Sequence, residues 1–140
     1  NEATSYSAKS IVITGGEPLN YPLDKLCELL KSNNMEIFLE TSGSSPLSGT
    51  FDWICLSPKK KKPPLKDIYS KADELKIIVE TEDDFKWAEE NRKLVNGKCR
   101  LYLQPEWSKS SQMLPKIIEY IKQNTIWSIS LQTHKYMNIP

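Results

Sequence analysis

Cysteine is scarce in this sequence and poorly placed for chemistry. Only Cys27, Cys55 and Cys99 occur. They are odd in number, far apart, and form neither a CxxC pair nor a His/Cys cluster, which excludes a zinc site and a disulfide framework. Free cysteine is commonly buried, so all three are expected to be core thiols in a reducing, cytoplasmic compartment. Histidine is scarcer still. His134 stands alone, with no Cys or Asp triad around it to make a nucleophilic site. Net charge is almost absent too: at +1 the chain offers no general field for nucleic acid. No apolar run approaches the roughly 20 residues that cross a bilayer, and no signal peptide is visible. Neither GxGxxG nor GxxxxGKS/T is present, which argues against a phosphate cradle.

What is present suits one soluble domain. The 140 residues are 39% hydrophobic and 26% charged, enough to bury a core without cross-links. The polar, aperiodic opening, residues 1–9, is expected to be a linker or a truncated edge, with the folded part spanning 10–140. Apolar, β-branched runs predict strands at 10–16, 35–43, 51–59, 72–80, 99–107 and 127–134. Helical spacing of Leu23, Leu26 and Leu30 predicts a helix after 10–16, with Pro22 in its first turn. Residues 83–95 form a second helix, acidic at the start and basic at the end, as the helix dipole favours. Residues 110–124 form a third, with Leu114, Ile117, Ile118 and Ile121 on one face. Strands alternating with helices imply a parallel α/β sheet with right-handed crossovers. There is no internal repeat, and "KKKKPP" at 59–64 is the one low-complexity piece.

The special residues gather where the predicted strands end: TGGEP, ETSG, SPK, QPEW and QTHK. In parallel α/β folds all strand C-termini share a face, and ligands bind there. Glycines in TGGEP permit positive φ and let a ligand approach the backbone; a tight strand-to-helix turn would need the same letters. ETSG reads equally as a capped, solvated turn. Ser57 brings a hydroxyl, Pro58 stops the ladder, and Lys59 reaches for an anion, although a run of four lysines is most often a solvated loop. In QPEW, Gln104 both donates and accepts, and Trp107 offers a stacking surface or simply packs.

Taken together and in order, these motifs resemble one family. "VITGGEPL" is similar to the GGEP motif of radical S-adenosylmethionine enzymes. That motif with "LETSGSSPLSGTFDWICLSPKK", "ADELKIIV", "LYLQPEW" and "ISLQTHKYMNIP" resembles the 7-carboxy-7-deazaguanine synthases of queuosine biosynthesis, from about residue 10 to residue 140. The resemblance implies an incomplete (β/α) TIM-like barrel and a homodimer. It implies a carbon–nitrogen lyase that contracts the ring of 6-carboxy-5,6,7,8-tetrahydropterin to 7-carboxy-7-deazaguanine, with loss of ammonia. The implied cofactors are S-adenosylmethionine, a [4Fe–4S] cluster and Mg2+, and the implied reductant is a flavodoxin or ferredoxin. The family's closely spaced three-cysteine motif does not occur here. The expectation is therefore a chain without the leading strands, the cluster loop and the magnesium ligand, inactive on its own, with no catalytic or metal-ligating residue of its own.

Residue by residue, the resemblance places Gly16, Ser57, Pro58, Lys59, Gln104, Pro105, Glu106 and Trp107 at S-adenosylmethionine, and Thr14 and Pro140 at the pterin. The α-carboxylate of Pro140 would match the paired donor edge of a pterin. Two rival readings stand beside this one. One is a non-catalytic α/β domain that binds S-adenosylmethionine without the redox cluster. The other is a nucleic-acid binder acting through Lys59–Lys62.

Overall fold

The computed structural model describes residues 7–139. The chain divides into two compact units, Asn1–Glu74 and Leu75–Pro140. In each, strands neighbour one another in sequence order.

The first unit is built on three parallel strands, β1 (Ser10–Ile13), β2 (Glu36–Thr41) and β3 (Trp53–Leu56). Ile11 lies opposite Ile37 and Ile13 opposite Leu39; Leu39 then faces Ile54, and Thr41 faces Leu56. The ladder already begins at Lys9, whose carbonyl accepts from the Glu36 amide at 2.9 Å. Along β2 burial alternates with the strand period, so Ile37, Leu39 and Thr41 are buried while Phe38 and Glu40 are half-covered. Helix α1 (Asp24–Ser32) buries Leu30 and Cys27 along with Leu23, its N-cap residue. Each buried leucine contributes roughly 1.5–3 kcal/mol. The first unit also holds a short helix, α2 (Lys66–Tyr69), which the sequence pattern did not predict.

Two expectations for α1 are corrected. Pro22 lies ahead of the helix, which starts at Asp24: the Leu23 amide is taken by Ser48 Oγ at 3.1 Å, and Asp24 Oδ1 accepts from Gly49 N at 3.0 Å, so a distant loop defines the helix start. It is Pro18 that opens a turn, a short 3-10 segment, Pro18–Asn20. The buried stripe runs Leu23, Cys27, Leu30, and Leu26 is exposed, because Cys27 takes the inward position under Gly49.

The second unit holds β4 (Glu74–Val79, its first residue closing the first unit), β5 (Arg100–Pro105) and β6 (Trp127–Ile129). β5 and β6 are parallel, with Leu101 opposite Trp127 and Leu103 opposite Ile129. Its helices are α3 (Asp83–Arg92), α4 (Ser110–Gln123) and the short α5 (Thr133–Tyr136). The predicted strand 127–134 is cut to three residues. Beyond the last pair, β5 reaches Pro105, which has no N–H to continue a ladder, and the chain turns into α5. On α4 the buried residues are Met113 and Ile117, whereas Ile118 is exposed, so the predicted apolar face is rotated. Parallel pairing with helices between most strands bears out the expected α/β class.

All three thiols are in the core, as expected: Cys27 in α1, Cys55 in β3 and Cys99 just before β5.

A polar knot ties the second unit together. Glu89 Oε1 accepts from Trp127 Nε1 at 2.7 Å and Tyr120 OH at 3.1 Å, while Oε2 accepts from Arg92 Nε at 2.7 Å. Burial works to raise the Glu89 pKa, but the hydrogen bonds from Trp127, Arg92 and Tyr120, with the charge of Arg92, outweigh it and hold the carboxyl below its ordinary range. Burial and the same carboxylate push Tyr120 up to about 12. Since the folded value lies below the unfolded one, the contribution is complete above about pH 4.3 and is lost as pH falls through the folded pKa. Urea unfolding followed from neutral pH downward is expected to show this loss, and Glu89→Gln to lessen it. An unchanged pH dependence in the variant would assign the loss to other carboxylates.

Candidate functional site

In the first unit the strand ends converge on Glu17. β1 stops at Ile13, and Thr14, Gly15 and Gly16 follow. Gly15 holds φ +125°, a conformation open to glycine and rarely to other residues. Gly16 has no positive φ; instead, a Cβ built there would meet no atom within 4 Å. The two glycines therefore do different work. Gly15 makes the turn, and Gly16 leaves open space beside the backbone. Thr14 and Gly16 line a cleft of about 430 Å³ together with Pro18 and Tyr21.

Glu17 caps the 3-10 turn and reaches across to the end of β2. Oε1 accepts from Leu19 N at 3.1 Å and Thr41 Oγ1 at 2.5 Å; Oε2 accepts from Ser42 N at 2.8 Å and also from Ser42 Oγ. Burial acts to raise its pKa, but the bonds from Ser42, Thr41 and the Leu19 and Ser42 amides prevail, so the carboxyl stays ionised below the usual range. Sequence reasoning assigned Glu17 no role. Its position just before a Pro-led turn, with ETSG downstream, was the available signal.

Ser57 follows β3. It is buried, its amide donates to Thr41 O at 2.8 Å, and its hydroxyl accepts from Lys59 Nζ at 2.9 Å. Pro58 is fully buried. Lys59 pairs with Lys62 in an isolated antiparallel bridge, so the lysine run is a defined turn rather than an open loop.

In the second unit Gln104 is buried and its Oε1 accepts from Ser130 Oγ at 3.0 Å. Pro105 ends β5 and is buried. Glu106 donates its amide to Val79 O at 2.9 Å and caps the turn Trp107–Lys109. Hydrogen bonds from Ser108 hold its carboxyl below the usual range. Trp107 remains 39% exposed. The Tyr136 ring meets its edge at 5.1 Å between centroids, and Lys135 Nζ sits 5.0 Å from the indole centroid. QPEW and THKY, widely separated in sequence, are thus neighbours. Ser130 and Tyr136 were not singled out from the sequence, and Lys135 entered only as the last letter of QTHK, with no role; a Lys and a Tyr following the last strand were the signal. Pro140 lies outside the described residues.

The first unit thus offers open backbone at Gly16 with the Ser57 hydroxyl and the Lys59 ammonium, and the second, taken by itself, offers the Gln104 amide and the part-exposed Trp107 indole. An iron–sulfur cluster or Mg2+ does not fit the described residues. Cys55 Sγ is within 3.3 Å of Glu74 Oε1, Cys99 Sγ is within 3.7 Å of Arg100 O, and Cys27 lies under Gly49. Among the described residues no group of three His, Cys, Asp or Glu side chains converges. No described helix is long and apolar enough to cross a membrane.

No family model matches the chain. The 7-carboxy-7-deazaguanine synthase of Flavobacterium psychrophilum is 50% identical over 138 residues, covering 99% of this chain and 65% of that protein. The enzyme of the same name from Synechocystis is 46% identical over 138 residues, covering 99% and 66%. The Prochlorococcus marinus enzyme of that name is 36% identical over 162 residues, covering 98% and 71%. The chain thus spans 65% and 66% of the first two relatives. The crystal structure of QueE from Escherichia coli matches with a TM-score of 0.82 at 28% identity, covering 94% of this chain and 60% of that one, which fits part of a barrel rather than a whole one. With its motifs matched from β1 onward and more than two-thirds of a 36%-identical relative covered, the chain belongs to the 7-carboxy-7-deazaguanine synthase family.

Proposed function

We propose that the protein containing this chain converts 6-carboxy-5,6,7,8-tetrahydropterin to 7-carboxy-7-deazaguanine with loss of ammonia, as a radical S-adenosylmethionine carbon–nitrogen lyase. The observation that carries the reading is the open backbone at Gly16 beside Thr14, within a chain half identical to a protein of that name. Bound S-adenosylmethionine, once reduced, supplies the hydrogen-abstracting chemistry. The residues of this chain bind and orient. Gly16 gives its backbone to the methionyl amino end. The Ser57 hydroxyl, oriented by Lys59, takes a ribose or carboxylate oxygen, and Pro58 and Lys59 line the cofactor beside it. Gln104, Pro105, Glu106 and Trp107 flank the adenosine, with the indole as a stacking surface. Thr14 faces the pterin, and Pro140 is assigned to the same substrate. A [4Fe–4S] cluster and Mg2+ would be held by residues other than those described. A homodimer, a flavodoxin- or ferredoxin-type reductant and a cytoplasmic setting complete the proposal.

The test is anaerobic incubation of the intact protein with the pterin, S-adenosylmethionine and a reductant, with mass-spectrometric detection of the product. Formation of 7-carboxy-7-deazaguanine and ammonia is expected. Tight S-adenosylmethionine binding with no product would replace the enzyme with a non-catalytic binding domain. Binding to neither would overturn both.

A further inference from the structure

ETSG is, with QTHK, one of two strand-end motifs that the cofactor and substrate assignments leave unused. We propose that Thr41 and Ser42 are positioning residues: their hydroxyls clamp the Glu17 carboxylate and thereby fix the Gly15–Gly16 backbone for the amino-acid end of S-adenosylmethionine. The proposal rests on the cofactor reading above.

Two glycines in succession give the loosest backbone available, since neither has a Cβ to restrict it. Gly15 sits at φ +125° and Gly16 has no atom within 4 Å of a built Cβ, so neither is held by packing of its own. Ordering one residue costs roughly 1–2 kcal/mol. A ligand that had to order this segment itself would bind correspondingly less tightly. Glu17 is the next residue, and its side chain is anchored from outside the segment.

The anchor is specific. Thr41, 4% exposed, donates to Oε1 at 2.5 Å, and its Oγ1 accepts from Gly43 N at 2.9 Å, which leaves the hydroxyl proton aimed at Glu17. Ser42 gives both its amide and its hydroxyl to Oε2. Ser44 Oγ stands 3.1 Å from Ser42 Oγ; with the single Ser42 proton committed to Glu17, Ser44 must be the donor in that pair. The result is a chain of donors ending on one carboxylate: Ser44 to Ser42 to Glu17 from one side, Gly43 to Thr41 to Glu17 from the other. A carboxylate so engaged has no oxygen free of protein partners. Its part is to hold the adjoining peptide, not to bind the ligand directly.

The test uses Thr41→Val, which keeps the shape, Thr41→Ser, which keeps the hydroxyl, and Ser42→Ala, which removes a single oxygen from a half-exposed position. Ser32→Ala, at the end of α1 and bonded only to Leu29 O, is the control. Two quantities are read: hydrogen exchange of the Leu19 and Ser42 amides, both donors to Glu17, and the dissociation constant of S-adenosylmethionine with the holoenzyme. Thr41→Val and Ser42→Ala are expected to speed exchange at these amides and to weaken S-adenosylmethionine binding about tenfold, the effect of one hydrogen bond. Thr41→Ser and the control should behave as wild type. Unchanged exchange or unchanged affinity in Thr41→Val and Ser42→Ala overturns the clamp, as does a Thr41→Ser as impaired as Thr41→Val. A wild-type holoenzyme that binds no S-adenosylmethionine overturns the cofactor reading and the clamp with it; unchanged exchange together with normal wild-type binding overturns the clamp alone.

Discussion

Gly16→Val in the holoenzyme is expected to cut affinity for S-adenosylmethionine by one to two orders of magnitude while leaving the unfolding midpoint almost where it was. Both halves come from the same geometry. A Cβ at Gly16 meets nothing within 4 Å, and its φ is not in the left-handed region, so the chain itself accommodates a side chain. The space that receives the valine is the cleft shared with Thr14 and proposed for the cofactor. Forcing atoms into an occupied site costs about 1–3 kcal/mol, which converts to roughly tenfold to a hundredfold in binding. Isothermal titration with S-adenosylmethionine, run beside thermal unfolding, separates the two quantities. Equal affinity would take Gly16 out of the site. A large fall in stability would show that the turn, not the ligand, needed the glycine. Gly15→Ala is the complementary change, because there the backbone at φ +125° resists any side chain.

Gly43→Ala is expected to have the largest effect on stability. Gly43 holds φ +70°, and a Cβ would stand 2.6 Å from Leu56 Cδ1, 2.9 Å from Ile68 Cγ2 and 3.1 Å from Pro64 Cβ. Leu56 and Ile68 are fully buried, so neither has room to retreat. A left-handed non-glycine residue costs about 1–3 kcal/mol, and overpacking adds about 1–3 kcal/mol. The sum is on the order of 2–6 kcal/mol, against a typical domain stability of roughly 5–15 kcal/mol. Urea unfolding should therefore shift by a large fraction of the whole. The carbonyl of Gly43 also accepts from Leu65 N at 2.8 Å, so the strain would spread into the approach to α2. A shift no larger than that of Gly97→Ala, where nothing lies within 4 Å, would mean that the loop relaxes freely.

The strands were legible because their alternation and β-branching are local properties: Ile37 and Leu39, or Leu75, Ile77 and Val79, announce a buried face within a few residues. The parallel order followed from helices falling between most of them. Which leucine of a helix points inward was less legible. Leu26 and Cys27 are adjacent and both apolar, and the choice was made by Gly49, twenty-two residues further on, closing over Cys27. Likewise Pro22 offered a plausible helix start until the Ser48 hydroxyl claimed the amide after it. In the candidate site, the glycines and the Ser57–Lys59 pair were visible as residue types at strand ends. The Glu17 clamp was not, because a carboxylate acquires meaning from donors 24 and 25 residues away. The division of labour between Gly15 and Gly16 was also hidden, since one backbone angle and one empty volume distinguish them.

The burial of the three thiols has a kinetic side. Cys27 is 0% exposed, Cys55 3% and Cys99 9%, and none is tied in a disulfide. A thiol must reach solvent as thiolate before an alkylating reagent can attack it, so each modification rate follows the fraction of time its surroundings stand open. The positions divide the work: Cys27 under the Gly49 loop and Cys55 inside β3 belong to the first unit, whereas Cys99, ahead of β5, belongs to the second. The native sequence therefore carries three clocks that need no label of their own, two timing the opening of the unit that contains Gly16 and one timing the unit that contains Trp107.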